Sequence, residues 1–211
     1  MSQNAIPNAA EDDIAARIAG QSLSKRGQDY VAEVRRLLDA GLEVMQRGGT
    51  DARPRVADIV AEAGLSNDAF YRHFPSKDAL VAAIIEDGAE RLRSYLVHSM
   101  AKDPTPEGQV RRWVEGVLAQ AGDAVAPATL AVLWNAGGVG DGMASGHSRL
   151  NPRLAELLEV PLAELGSSDP ALDAALLTHA VVGRLSDHLW QRTAPTRAEQ
   201  ARVVAFCLRT V

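Results

Sequence analysis

From Gln28 onward, apolar residues return every third or fourth position, and no stretch alternates apolar and polar residues as a strand would. Tyr30, Val31, Val34, Leu37, Leu38, Leu42 and Met45 mark one face of a first helix, which Gly48-Gly49 ends. Pro54 suits a first helical turn, Val56, Ile59, Val60 and Ala63 form a second, shorter stripe, and Gly64 stops it. Ser66 is an N-cap for a third helix through Phe74, Pro75 breaks that helix, and Ser76 caps a long fourth. The fourth carries Leu80, Val81, Ile84, Ile85, Leu92, Leu96 and Val97. Beyond Asp103-Pro104-Thr105-Pro106 the period predicts helices near 107–124, 127–136, 151–165, 169–192 and 196–209, with the Gly-rich stretch Gly137 to Gly146 as a loop. The fold class this pattern implies is all-α.

A chain of 211 residues that is 46% apolar can bury a substantial core. No apolar run approaches the roughly 18 residues of a membrane span. The start, MSQNAIPNAAEDD, lacks the basic and apolar regions of a secretory signal, and the single Cys207 leaves no internal disulfide or cysteine-rich zinc site. These features lead us to expect a cytoplasmic protein. Residues 1–23 are expected to form an N-terminal arm, either flexible or a short helix around Ile14 and Ile18, with Ser24-Lys25-Arg26-Gly27 as a hinge. Net charge is −5, but Ser24 to Lys77 holds nine Lys/Arg against eight Asp/Glu, so the acidity lies outside this segment.

The segment GLSNDAFYRHFPSK, Gly64 to Lys77, gathers three of the chain's six Phe and Tyr residues around Arg72 and His73. On a helical wheel Phe70 and Phe74 point one way, as core residues do. Asp68, Ala69, Tyr71 and Arg72 cover the opposite arc, and His73 sits at the border. A short helix, a tight Gly-Leu-Ser turn and a second short helix make a helix-turn-helix, whose second helix fits the DNA major groove. Asn67, Asp68, Ala69 and Tyr71 would then face bases: Asn67 pairing with adenine, Asp68 accepting from cytosine N4, and the Ala69 methyl touching thymine. Arg55 and Lys77 each fall in the first turn of a predicted helix, where the dipole disfavours a cation unless an anion joins it. A phosphate would take the free N–H groups and the side-chain charge together. Lys25 and Arg26, just before the first helix, are further phosphate or minor-groove candidates.

At these residues the chain resembles a known family. VADIVAEAGLSNDAFYRHFPSKDALVAAI is similar to the DNA-binding motif of the tetracycline-repressor (TetR) family of bacterial transcriptional regulators, over about residues 28–90. The resemblance implies an N-terminal three-helix DNA-binding domain, 24–75 here, joined by the long fourth helix to a helical effector-binding and dimerisation domain, 76–211. It also implies a homodimer on a palindromic double-stranded DNA operator, with repression relieved by a small molecule. Carried over by position, Asn67, Asp68, Ala69 and Tyr71 match base-facing sites. Arg55, Tyr71, Arg72, His73 and Lys77 are the phosphate-contacting candidates. Arg55 stands where many members have Thr, Val60 where Ala is common and Asp68 where Gly or Pro is frequent, differences that bear on the operator sequence.

In the C-terminal part, Leu172, Leu176, Leu177, Ala180, Val181, Leu185 and Leu189, with Val203, Val204, Phe206, Cys207 and Leu208, offer apolar faces for a two-fold bundle of the helices near 169–192 and 196–209. Trp113, Leu130, Leu133, Trp134, Met143 and His147 are candidates to line an effector pocket between middle helices. No catalytic or metal-ligating constellation is legible: GGVGDGMASG lacks the Lys-Ser/Thr of a phosphate loop, and His179 and His188 are half a turn out of phase. Neither an enzyme nor a cofactor is therefore expected. The alternative to a regulator is a helical small-molecule-binding or interaction protein whose DNA motif is vestigial, a reading that the acidic total and Asp68 motivate.

Overall fold

The computed structural model describes residues 9–49, 53–122, 124–136 and 142–209, and the side chains of 27–49, 53–122, 124–135 and 151–209. Among these residues all regular structure is helical: α1 (Ala9–Gly48), α2 (Val56–Ala63), α3 (Asn67–His73), α4 (Lys77–Met100), α5 (Pro106–Leu118), a 3-10 turn (Ala119–Ala121), α6 (Ala126–Ala136), α7 (Gly142–Glu164), α8 (Pro170–Gln191) and α9 (Arg197–Arg209). The expected all-α architecture is what the chain adopts.

Three boundaries differ from the sequence expectation. Helix α1 runs unbroken through Ser24–Gly27, so the hinge is not a break. A single Gly inside a helix costs only about 1 kcal/mol relative to Ala, which the turns on either side can cover. Helix α7 begins at Gly142, so residues 142–146 are helical instead of loop, and Pro152 lies inside the helix and not at its start. Helix α5 ends at Leu118, and the chain tightens into the 3-10 turn before Gly122.

Two buried clusters organise the packing. The first joins Leu37, Met45, Ile59, Phe70, Phe74, Leu80 and Ile84, and so ties α1, α2, α3 and the start of α4 together. The second joins Leu96, Trp113, Val117, Leu154, Leu158, Leu162, Leu177, Val181, Leu189 and Val204, with α5 packed against α4, α7, α8 and α9. Helix α4 enters both: Leu80, Val81 and Ile84 lie in the first, Leu96 and Met100 in the second. Helix α6 also touches both, since Ala131 is buried in the first cluster while Leu130 and Leu133 pack on the second. Among the described residues, no single helix is long and apolar enough to cross a membrane.

Candidate nucleic-acid interface

The turn between α2 and α3 is built from local chemistry. Gly64 ends α2 in the left-handed region (φ 61°, ψ 39°). Its N–H donates to the Ala61 carbonyl at 3.3 Å, and the Leu65 N–H donates to the Val60 carbonyl at 2.9 Å. Those two bonds are the paired closure of a Schellman motif. Ser66 then caps α3 in extended backbone, its Oγ accepting from the Ala69 N–H at 3.1 Å. After Pro75, the Ser76 Oγ caps α4 in the same way, accepting from Ala79 N–H at 3.1 Å. Both ends of the seven-residue α3 are therefore fixed.

Phe70 is fully buried and Phe74 nearly so, and their rings lie 6.0 Å apart. They anchor α3 to the cluster beneath. The buried arc is wider than the two Phe alone suggest. Ala69 is 5% exposed and the His73 side chain 0%. At about 100° per residue, Ala69, His73, Phe70 and Phe74 span an arc of about 140°. This corrects two expectations. The Ala69 methyl points into the protein and is not available to a thymine methyl, and His73 is enclosed and not presented to a phosphate. The physical reason is that α2 and α1 flank the Ala69 and His73 side of α3, which a wheel of α3 alone cannot register. The exposed arc is Asn67, Asp68, Tyr71 and Arg72, with Tyr71 58% exposed.

The predicted cations are differently placed. Arg55 is the N-cap residue of α2, one position outside the helix, and its guanidinium bonds both carboxylate oxygens of Asp58 at 2.9 and 3.0 Å. That bonding pulls the Asp58 carboxyl below its ordinary range and raises Arg55. Arg72 donates to Glu33 Oε2 at 2.7 Å, and His73 Nε2 lies 2.6 Å from the same oxygen. Lys77 is the first residue of α4, half-buried, and has no ion-pair partner among the described residues. The side chains of Lys25 and Arg26 lie outside the described residues, although their backbone is part of α1. Glu33, some forty positions before Arg72, was not foreseen; no signal local to either residue announces the pair.

The sequence model of the bacterial regulatory proteins of the tetR family matches residues 37–84, from the middle of α1 into α4. Residues 37–84 thus match the DNA-binding domain of the tetR family. Over 52 residues it is 40% identical to an uncharacterized helix-turn-helix-type transcriptional regulator of Bacillus subtilis, YvdT. That stretch is 25% of the chain and 26% of YvdT, so the chain matches about a quarter of this curated relative's length. Solved structures share the fold over most of the molecule. E. coli NemR in its reduced form is 15% identical with a TM-score of 0.64, covering 83% of this chain and 95% of NemR. The Bacillus subtilis regulator FadR, solved with stearoyl-CoA, is 14% identical with a TM-score of 0.66, covering 84% of this chain and 98% of FadR.

Among the described candidates for pocket lining, Trp113, Leu130 and Leu133 share the second buried cluster, whereas Trp134 does not join it. Trp113 is wholly buried, and its indole N–H donates to the Leu154 carbonyl at 3.0 Å, so it is a satisfied core residue. Trp134 faces outward, edge-on to Trp190 at a centroid distance of 6.1 Å. Leu130 and Leu133 are half-buried against the second cluster. The side chains of Met143 and His147 lie outside the described residues. Asn135 is buried and donates to the Ala131 carbonyl at 2.9 Å.

The apolar face expected on α8 divides in two. Leu177, Val181, Leu185 and Leu189 are buried within the chain, whereas Leu172, Leu176 and Ala180 remain exposed. On α9, Val204 and Cys207 turn inward while Phe206 stays largely exposed. No group of three His, Cys, Asp or Glu suited to a metal ion occurs among the described residues.

Proposed function

We propose that this protein is a TetR-family, sequence-specific DNA-binding transcriptional regulator that works as a homodimer on a palindromic operator. The observation that carries the reading is the exposed arc Asn67, Asp68, Tyr71 and Arg72 on a short helix that is capped at its start and anchored by Phe70 and Phe74. A helix fixed in this way can present a donor and acceptor pattern to the major groove without losing order on binding. Asn67, Asp68 and Tyr71 are assigned to bases; Arg55, Arg72 and Lys77 to phosphates. The exposed apolar residues Leu172 and Leu176 on α8 and Phe206 on α9 are assigned to the dimer face, since a two-fold axis through these helices suits a palindrome.

Release by a small molecule bound in the C-terminal part is also part of the proposal. FadR of Bacillus subtilis was solved with stearoyl-CoA; for this chain the contact of α6 with both buried clusters supports a route from such a site to the DNA-facing helices. No catalytic role is assigned.

The test is selection of bound fragments from sheared genomic DNA at near-physiological salt, followed by sequencing. A palindromic motif with half-sites a helical turn or more apart is the expected outcome. Absence of any enrichment, from protein shown to be folded, dimeric and ligand-free, would refute DNA recognition and favour the reading of a ligand-binding protein with a vestigial motif.

A further inference from the structure

Two side chains of α1 reach the last turn of α3. Glu33 Oε2 accepts from the Arg72 guanidinium at 2.7 Å and lies 2.6 Å from His73 Nε2. The Tyr30 ring meets the His73 imidazole edge-on at 4.2 Å and helps to enclose it. His73 is sealed from solvent, but the Arg72 side chain is 56% exposed and follows Tyr71 on the outward arc. One carboxylate oxygen therefore serves a structural donor on its inner side and a DNA-facing cation on its outer side. The bonds from His73 and Arg72 hold the Glu33 carboxyl below its ordinary range, so it is an anion throughout neutral pH.

We propose that Glu33 is a specificity-determining residue, a built-in carboxylate that competes with DNA phosphate for Arg72 and so restrains binding to DNA of arbitrary sequence. The inference rests on the DNA-binding reading above. Sequence-independent affinity comes from cations that displace counterions at phosphates. An Arg already held by a carboxylate must exchange one anion for another, and the carboxylate left behind repels the backbone. Arg72 then adds little on random DNA. On the operator, base contacts from Asn67, Asp68 and Tyr71 supply affinity that does not depend on Arg72. The pairings of Arg55 with Asp58 and of Arg47 with Glu62 dampen two neighbouring cations in a similar way. Glu33 is distinct from Asp58 and Glu62 in acting on α3 itself.

The test compares the full-length wild type with Glu33→Gln on two duplexes of equal length, the selected operator and a random sequence, across a salt series. Gln keeps an acceptor oxygen for His73 while removing the negative charge. Random-duplex affinity is expected to rise up to about eightfold at 0.1 M salt, and its log–log salt slope to steepen by about 0.9, the contribution of one more phosphate contact. Operator affinity should rise less, so the operator-to-random ratio falls. Glu33→Ala, which also removes the acceptor, should steepen the random-duplex slope as well. An unchanged slope in Glu33→Gln, or an equal gain on both duplexes, overturns the proposal. So does Glu33→Ala that loses both affinities together with thermal stability while Glu33→Gln changes nothing, since Glu33 would then be only a structural tie. Wild type that binds neither duplex would refute DNA recognition itself, a result separable from failure of the Glu33 role alone.

Discussion

Replacing Gly64 tests whether the turn geometry, and not the space around it, fixes the residue. The backbone there is left-handed, at φ 61°. A Cβ built on it would meet nothing within 4 Å. No clash with surrounding side chains therefore enters, and the cost is the local one of holding an L-residue in the left-handed region, about 1–2 kcal/mol. Ala also loses less unfolded-state entropy than Gly, which returns about 0.4–1 kcal/mol. The net for Gly64→Ala is then destabilisation of about 1 kcal/mol. Asn, whose side chain tolerates this conformation, should cost less, and β-branched Val should cost more. For a chain of this size 1 kcal/mol corresponds to about 2–4 °C in Tm. Thermal and urea unfolding of the three variants should rank them Asn, Ala, Val in increasing damage. Equal costs for all three, or a loss above about 3 kcal/mol for Ala, would refute the reasoning, because the first removes the conformational origin and the second requires a clash the structure lacks.

Gly41 makes the opposite case: a Cβ there would meet Ile84 Cδ1 at 2.8 Å and Leu80 Cδ2 at 3.0 Å, so Gly41→Leu should cost at least about 1–3 kcal/mol by overpacking between α1 and α4, and an unchanged urea midpoint would show that the two helices are not in this contact. Glu199 on α9 accepts from Arg184 and lies 3.0 Å from His188 Nε2, and these partners, Arg184 foremost, hold its carboxyl below the ordinary 4.5. A carboxyl depressed in the folded state stabilises fully above its ordinary value and loses that contribution as pH falls through its folded value, so Tm of Glu199→Gln should fall less steeply than wild type below about pH 4.5, whereas parallel acid limbs would contradict the pairing. Burial pushes the Cys207 thiol up to about 11, so the native protein should resist thiol reagents at pH 8 and react on unfolding; rapid stoichiometric labelling of folded protein would show Cys207 to be accessible.

What was legible in the sequence is what local chemistry decides. Gly64, Ser66 and Ser76 act within four residues of themselves, and each occupies the position read for it. Phe70 and Phe74 bury as their spacing requires. The misreadings share one cause. Whether Ala69 and His73 face the core or the solvent depends on where α1 and α2 lie across α3, and the pairing of His73 with Glu33 joins residues forty positions apart. Trp113 is of the same kind: its indole N–H finds the Leu154 carbonyl on α7, so a side chain that reads as possible pocket lining is closed inside the core. The hinge at Ser24–Gly27 and the loop through Gly146 fail for a weaker reason, because glycine and polar residues lower helix propensity without forbidding a helix.

The same limit explains why α6 gave so little away. Its sequence, APATLAVLWNA, is apolar nearly all round, and such a helix has no single stripe to show which neighbour it serves. In the fold it serves two. Ala131 is 1% exposed in the cluster shared by α1 and α4, while Leu130 and Leu133 press on the cluster around α5. Close-packed interiors do not yield continuously; a shift of α6 that repacks its leucines must either reseat Ala131 against α1 and α4 or open a void there. Helix α1 also carries Glu33 and Tyr30, which hold the end of α3. On the proposed reading, a displacement of α6 would reach α3 through two contacts. One is the core packing at Ala131. The other is the side-chain tie at Glu33, which Glu33→Ala removes while leaving the core packing in place.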